Sequence, residues 1–380
     1  MSTKTNWKFC ILAAGRGTRN TTTEGLHKSL LPLENQATIS RIIKSIPTEI
    51  EIIIAVGYKA EQLKSYIQYI FPARTITFVD IENYYKAGSG PGLSLLLCKE
   101  HLQCPFIFTS ADTIVEENFI FEDLDENWIG IAEVSLEQSL QYCLVKGSKY
   151  LDKLYFGTGD RAYIGMAAIH EYEKYWKALE EHTILKDEYQ VIHGFSGLDK
   201  IRLLEFTWHD TGNNESYAIA RKSFPNEVVA VKNKEAIFIE ENKVIKYFND
   251  TDKVKRRIDR VKYLNGSAPK ITVLNENMYA YDYVPGQLLS EITDTEILED
   301  VLKYYNDKFM SVAMASSPKF LDDCKKMYHD KVYDRISKFA GIKLDRIQYI
   351  NGIKVKPILE LLDDVPWESI YEKAIPANFH

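Results

Sequence analysis

Four short apolar runs recur through the first 112 residues: Phe9 to Ala14, Glu51 to Gly57, Thr75 to Asp80 and Pro105 to Asp112. Each has the length of a strand and is nearly unbroken, the pattern of strands covered on both faces. Between them lie stretches with helical spacing of apolar positions: Ile39 to Ile46, Lys59 to Phe71 and Gly92 to Leu102. Alternation of this kind predicts parallel strands joined by crossover helices, a doubly wound α/β sheet. Such sheets bind ligands at the carboxyl ends of their strands, where Gly15 and Asp112 fall.

The rhythm changes near Ser223–Asn226. From there "EVVAVKNKEAIFIEENKVIKYF" pairs two strand signals around a turn at residues 240–242. A basic helix over 252–264, the stretch "PKITVLNENMYAYDYVPGQLL" over 269–289 and mostly helical sequence follow. The expected organisation is one domain over 1–225 and a second over 226–380. A chain of 380 residues is long enough for both.

The net charge of −7 provides no general basic field, which argues against nonspecific nucleic-acid binding and requires any phosphate site to be local. The five cysteines are odd in number and never form Cys-x-x-Cys, a usage that fits a reduced, cytoplasmic protein without structural zinc. No apolar stretch reaches membrane length, so membrane insertion is not expected.

Chemistry concentrates where the first strand ends. In "LAAGRGTR" (Leu12 to Arg19), the glycines let backbone N–H groups approach phosphate oxygens. Arg16 and Arg19 add forked cationic donors, and Lys28, just before Leu-Leu-Pro, adds a mobile charge. A Gly-x-Gly alone is a turn that recurs by chance, and no Gly-Lys-Ser/Thr follows to make a Walker loop.

The whole string resembles the nucleotide-binding signature of sugar-1-phosphate nucleotidylyltransferases and the related phosphocholine cytidylyltransferases, over roughly residues 7–222. It departs from the pattern at His27, where the family commonly has proline. The resemblance implies a Rossmann-like nucleotidyltransferase fold. Leu12, Ala13, Ala14, Gly15, Gly17 and Thr18 would cradle the nucleotide, and Gly88, Ser89 and Gly90 in "YYKAGSGPGLSLL" would surround its base. Asp112, closing "FIFTSAD", and Asp210, in "WHDTG", would hold Mg²⁺, with Arg16, Arg19, Lys28 and Asp112 as the catalytic set. His209 is left out, because neighbours on a strand point to opposite faces.

Tyr163 and Gly165, with Glu188, would line the acceptor site. The family's Glu-Lys-Pro is replaced here by Leu154-Tyr155-Phe156-Gly157, with Lys146 and Lys153 out of register, which implies an acceptor other than a standard hexose 1-phosphate.

Residues 226–380 resemble part of the aminoglycoside and choline phosphotransferases, a kinase-like α+β fold. Lys246 would be the phosphate-binding lysine and Val284-Pro285-Gly286 the exit of the lobe-connecting strand. His380 matches the start of that family's catalytic loop, so no phosphotransfer is expected from the chain as written. The two resemblances together imply transfer of a nucleoside monophosphate, from CTP by preference, to a small phosphorylated alcohol or amine such as phosphocholine. Such products serve surface polysaccharide or lipid synthesis. A sugar-1-phosphate uridylyl- or thymidylyltransferase and a noncatalytic nucleotide-binding protein are the alternatives, and a homo-oligomer is left open.

Overall fold

The computed structural model describes residues 7–86, 88–119, 125–181, 189–226, 232–262, 264, 266, 268–287, 289–309, 318–340 and 348–372. The chain divides into two compact units, Met1–Asp259 with Pro269–Val284, and Arg260–Ala268 with Pro285–His380. By packing, the first unit therefore runs past residue 225 and takes in the strands up to Val284.

The first unit begins with β1 (Lys8–Ala13), α1 (Thr38–Ser45), β2 (Glu51–Val56), α2 (Ala60–Ile70), β3 (Ile76–Asp80), α3 (Pro91–Leu97) and β4 (Phe106–Ser110). All four strands are parallel, in the spatial order β3-β2-β1-β4. The order reverses at β1, so the crevice between the carboxyl ends of β1 and β4 is the switch point of the sheet. Alternate residues of β1 supply opposite faces. Phe9, Ile11 and Ala13 join Ile52, Ile54, Leu63 and Ile67 on one side. Cys10, Leu12 and Ala14 join Ile53, Ala55, Leu95 and Trp176 on the other. This two-sided burial is why β1, β2 and β4 read as continuous apolar runs, whereas β3, at the sheet edge, is only half-buried.

Beyond β4 the sheet continues largely antiparallel. The strands that follow in the chain are β5 (Thr113–Val115), β6 (Asn127–Glu133), β7 (Leu144–Gly147), β8 (Leu151–Tyr155), β9 (Arg161–Ile169), β10 (Ile201–Glu205) and β11 (Trp208–Asp210), of which β6 to β10 join the sheet. β9 runs antiparallel to β4 and β6, β10 lies parallel to β6, and β7 with β8 forms the edge hairpin. β5 and β11 leave this sheet and pair antiparallel with each other. Helices α4 (Tyr172–Glu181) and α5 (Asn214–Ser223) complete this part.

A second sheet contains β12 (Glu235–Glu240), β13 (Lys243–Phe248), β14 (Thr272–Asn275) and β15 (Met278–Asp282), antiparallel in the order β12-β13-β15-β14, with α6 (Thr251–Val261) after β13. The turn expected at 240–242 is present: Glu241 (φ 49°) and Asn242 (φ 57°) form a two-residue left-handed connection. One face of this sheet, including Phe238, Ile245 and Tyr247, shares a core with β1, α1 and α2. The buried Glu240 carboxylate accepts from Ala37 N (3.1 Å) and Ser40 Oγ (3.0 Å) at the start of α1, where no local side chain caps the helix. Tyr66 Oη also donates to it, and Lys44 Nζ lies 3.2 Å away, so the buried charge is paired and hydrogen-bonded.

The described part of the second unit includes helices Thr295–Phe309, Pro318–Cys324 and Lys331–Ala340, with a short hairpin at 349–354. Among the described residues no helix is long and apolar enough to cross a membrane, and all five cysteines carry free thiols.

Candidate functional site

The chain leaves the core abruptly after β1. Ala14 is buried, while Gly15, Arg16, Thr18 and Arg19 are exposed. Gly17 adopts φ 62°, and a Cβ there would stand 2.8 Å from both Cβ and Cδ of Lys28. The lysine stem thus lies across the loop in space that only glycine leaves open.

Lys28 begins a 3₁₀ turn (Lys28–Leu30) whose cap is His27. Ser29 N donates to His27 Nδ1 at 3.1 Å, so Nδ1 is the acceptor nitrogen. Nε2 must then carry the proton, and it donates to Ala13 O at 3.2 Å. Burial, reinforced by the Lys28 and Lys59 charges and opposed by the Ala13 bond, pushes this imidazole down to about 3. The residue in the position of the family's proline is therefore a neutral strut that pins the start of the Lys28 turn to β1.

The acids come from two strand ends. Asp112 follows β4, where Ala111 N donates to Leu12 O at 3.2 Å. Asp210 ends β11, whose pairing with β5 sets Asp210 opposite Thr113. Thr211 fastens this arrangement, donating from N (3.0 Å) and Oγ1 (3.2 Å) to Asp112 O. Gly212 N donates to Asp210 Oδ1 at 2.8 Å. A Cβ on Gly212 would stand 3.0 Å from Asp210 Oδ1, 3.3 Å from Asp112 Oδ2 and 3.7 Å from Arg19 Nη2, so all three groups converge on one point. Lys28 Nζ lies 2.8 Å from Asp112 Oδ2. Burial pushes the Asp112 carboxyl up, but the Lys28 charge and hydrogen bond, with Arg19, prevail and hold it below the usual carboxylate range.

Two contributors had no signal in the sequence. Tyr142 Oη donates to Asp210 Oδ2 at 2.9 Å, and its ring meets Trp208 edge-on at 5.0 Å. Asn20 Nδ2 reaches Thr211 O (3.2 Å) and Asn213 O (3.3 Å), tying the glycine loop to the Asp210 segment. His27 was visible only as a departure from the family's proline. None of these contacts follows from local periodicity.

The two carboxylates offer hard oxygen donors. Among the described residues, no cluster of three or more His, Cys, Asp or Glu side chains forms a complete protein cage. Asp112 and Asp210 as a pair fit Mg²⁺, which takes one or two carboxylates and completes its shell with water and phosphate. The Lys28 ammonium on Asp112 Oδ2 already shows that this carboxylate pairs with a cation.

The remaining expected positions divide. Leu12 and Ala13 are buried with their carbonyls engaged by Ala111 N and His27, and Ala14 O accepts from Tyr58 N at 3.0 Å. These residues form the floor beneath the loop. Gly15 borders open space, with nothing within 4 Å of a Cβ placed on it. Gly88 is buried at φ 82°. Gly90 is the N-cap residue of α3. Gly90 and Gly92 sit against the Tyr189 backbone, with Gly92 N donating to Tyr189 O at 2.7 Å, so packing alone demands both glycines.

Tyr163 is buried, edge-on to Phe195 at 5.7 Å, while Gly165 (φ 79°) lies against Ser110. Glu188 and His380 lie outside the described residues. His209 turns to Glu116, 2.8 Å away, and to the Phe224 ring. Lys246, half-buried on β13, has its ammonium over the Tyr281 ring at 5.3 Å.

No family model matches the chain. It is similar to the bifunctional protein GlmU of Methanococcus vannielii, 31% identical over 127 residues, which make up 33% of this chain and 29% of that protein. The chain thus spans under a third of that relative's length. Among solved structures it is similar to a UDP-glucose pyrophosphorylase complexed with UDP-glucose, at a TM-score of 0.47 and 17% identity over 57% of this chain and 98% of that one. It is also similar to the CTP:phosphocholine cytidylyltransferase of Streptococcus pneumoniae, at 0.46 and 18% over 57% and 98%. A third is the inositol-1-phosphate CTP transferase of T. maritima, at 0.45 and 15% over 59% and 97%.

Proposed function

We propose that the chain is a Mg²⁺-dependent nucleotidyltransferase that moves a nucleoside monophosphate from a nucleoside triphosphate to a small phosphorylated acceptor, with release of pyrophosphate. The observation that carries this reading is the convergence of Arg19, Lys28, Asp112 and Asp210 beside the glycine loop, at the switch point of the sheet. Two acids alone would suit many cations. Two acids beside a lysine, an arginine and an open glycine turn suit a polyphosphate together with its metal.

A phosphate oxygen of the acceptor attacks the α-phosphorus, the bond from that phosphorus to the bridging oxygen breaks, and pyrophosphate leaves with the electron pair. The nucleophile is already anionic, so no side chain need accept a proton. Catalysis reduces to alignment and charge neutralisation. Asp112 and Asp210 would hold Mg²⁺, which when bound neutralises α-phosphate charge and orients the reactants. Lys28 and Arg19, with Arg16, neutralise the triphosphate and the charge growing on the leaving group. Gly15 and Gly17 keep the backbone low beneath the phosphates, and the Tyr142 hydroxyl fixes the orientation of Asp210.

CTP and a phosphocholine-like acceptor are the favoured pair. The reading rests on the replacement of Glu-Lys-Pro by Leu154-Tyr155-Phe156-Gly157 and on the kinase-like resemblance of residues 226–380. A cytoplasmic role in making surface polysaccharide or lipid precursors follows from that pairing. The test is product formation with each common nucleoside triphosphate, offered phosphocholine, phosphoethanolamine, polyol phosphates and hexose 1-phosphates in turn. A CDP-linked product from phosphocholine or a related phosphate supports the assignment. A product only from UTP or dTTP with a hexose 1-phosphate replaces the substrate pair.

A further inference from the structure

The segment from Thr21 to His27, which delivers Lys28, contains no helix or strand and is held between two walls. One wall is the start of α2: His27 N donates to Gln62 Oε1 at 2.6 Å, and Gly25 O accepts from Gln62 Nε2 (3.3 Å) and from Lys59 Nζ. The other wall comes from the second sheet, more than 200 residues along the chain. Tyr247 Oη, on β13, donates to Glu24 O at 2.9 Å. Asn249 Nδ2, just past the end of β13, donates to Glu24 Oε1 at 3.1 Å. Glu24 N donates to Asn233 O at 2.5 Å, and Thr23 Oγ1 donates to Lys232 O at 3.3 Å. Gly25 (φ 77°) passes so close that a Cβ there would lie 2.0 Å from Asn249 Oδ1 and 2.5 Å from Tyr247 Oη. Leu26 then enters the core that Tyr247 shares with β1.

We propose that Tyr247 and Asn249 are positioning residues of the nucleotidyl-transfer site, acting through Glu24 and Gly25 on Lys28. The second sheet is then part of the first site's machinery and not a separable module. Lys28 must keep its place while its charge is shared among Asp112, metal and triphosphate. Gly25 O is held by α2, and Thr21 and Thr22 are held by Asn214, whereas Glu24 is bonded to the second-sheet side. The hydroxyl of Tyr247 donates to the Glu24 carbonyl, with Asn249 Oδ1 a more distant acceptor at 3.4 Å, and neither bond belongs to the ladder of either sheet. The claim rests on the functional reading above only for what Lys28 contacts.

The test uses the full chain with Tyr247→Phe, Asn249→Ala and their combination. Val244→Ala is the control, because Val244 is buried at the opposite end of the same strand. Amide hydrogen exchange over residues 23–29 reads loop order directly, and calorimetry with inorganic pyrophosphate reads the anion site without turnover. Loss of one or two such bonds should accelerate exchange there, and weaken pyrophosphate binding, by about tenfold. Amides of β1 should be unaffected, and a Val244→Ala protein of equal melting temperature should change neither reading. Unaltered exchange at 23–29 in Tyr247→Phe and in the combined variant, or an equal change in Val244→Ala, overturns the proposal. A wild-type chain that binds no pyrophosphate or makes no nucleotidyl product defeats the functional reading instead. The exchange comparison still decides the positioning claim.

Discussion

Lys28 and Asp112, separated by 84 residues in the chain, meet as a hydrogen-bonded ion pair, with Lys28 Nζ 2.8 Å from Asp112 Oδ2. Each side chain is 17% exposed, so the pair is largely withdrawn from water. Removing one partner leaves the other's charge poorly solvated, and in the proposed reaction it also removes a group that faces the phosphates. Lys28→Ala and Asp112→Ala are each expected to lower pyrophosphate release by on the order of a hundredfold or more. Because the folded-state carboxyl of Asp112 is held low, its stabilising contribution is full above about pH 4 and is lost as the pH falls through the folded value. Asp112→Asn should therefore flatten the acid limb of the stability curve, measured by urea unfolding from pH 3 to 6.

His27 makes a demand of the same sign at higher pH. Its folded value near 3 lies below the ordinary value of about 6.5. Between these, the unfolded chain binds a proton that the native chain does not, so stability falls as pH drops, by up to about 1.4 kcal/mol per pH unit. His27→Asn can still cap the turn but leaves Ala13 O without its donor, at a cost of about 1–3 kcal/mol. Chemical denaturation should show a less stable protein with a shallower slope between pH 4 and 6.5.

Gly15 and Gly17 separate the two uses of glycine in one loop. Gly17→Ala would drive a methyl group into the Lys28 stem at a left-handed backbone position. It should lower both melting temperature and turnover. Gly15→Ala meets no protein atom within 4 Å and should melt like the wild type. Its methyl group would occupy space proposed for phosphate, so the nucleotide KM should rise. Paired melting curves and steady-state kinetics check both.

Tyr142→Phe deletes one hydrogen bond and little else. Burial and the neighbouring Asp210 charge push the Tyr142 hydroxyl up, so it is a donor at neutral pH. Without it, Asp210 Oδ2 loses a partner and the carboxylate can rotate. The Mg²⁺ concentration for half-maximal pyrophosphate release should rise about tenfold, with a smaller change in nucleotide KM. Direct titration with Mn²⁺ should show the same loss.

Much of the first unit was legible because β1, β2 and β4 bury both faces, so their sequences are unbroken apolar runs. Asp112 could be located because it ends such a run. Asp210 could be recognised, but its placement beside Asp112 depends on the pairing of β11 with β5, two three-residue strands with no periodicity to read. Tyr142 and Asn20 act through contacts 68 and 191 residues apart, which no local pattern encodes. Gly90 suggested a ligand loop, yet the Tyr189 backbone already requires a glycine there. The strand signals after Asn226 and the turn at 240–242 were clear. That one face of their sheet packs on α1 and α2 was not, because alternation marks a buried face without naming what covers it.

The most direct test is the stoichiometry of pyrophosphate release by the wild-type chain with Mg²⁺, CTP and phosphocholine, beside Asp112→Ala and Asp210→Ala proteins shown to be folded. One pyrophosphate per nucleotidylated acceptor, dependent on Mg²⁺ and lost in both variants, is the predicted result. Variants that retain wild-type rates, or a wild-type chain that releases no pyrophosphate from any nucleoside triphosphate with any phosphorylated acceptor, would contradict the account.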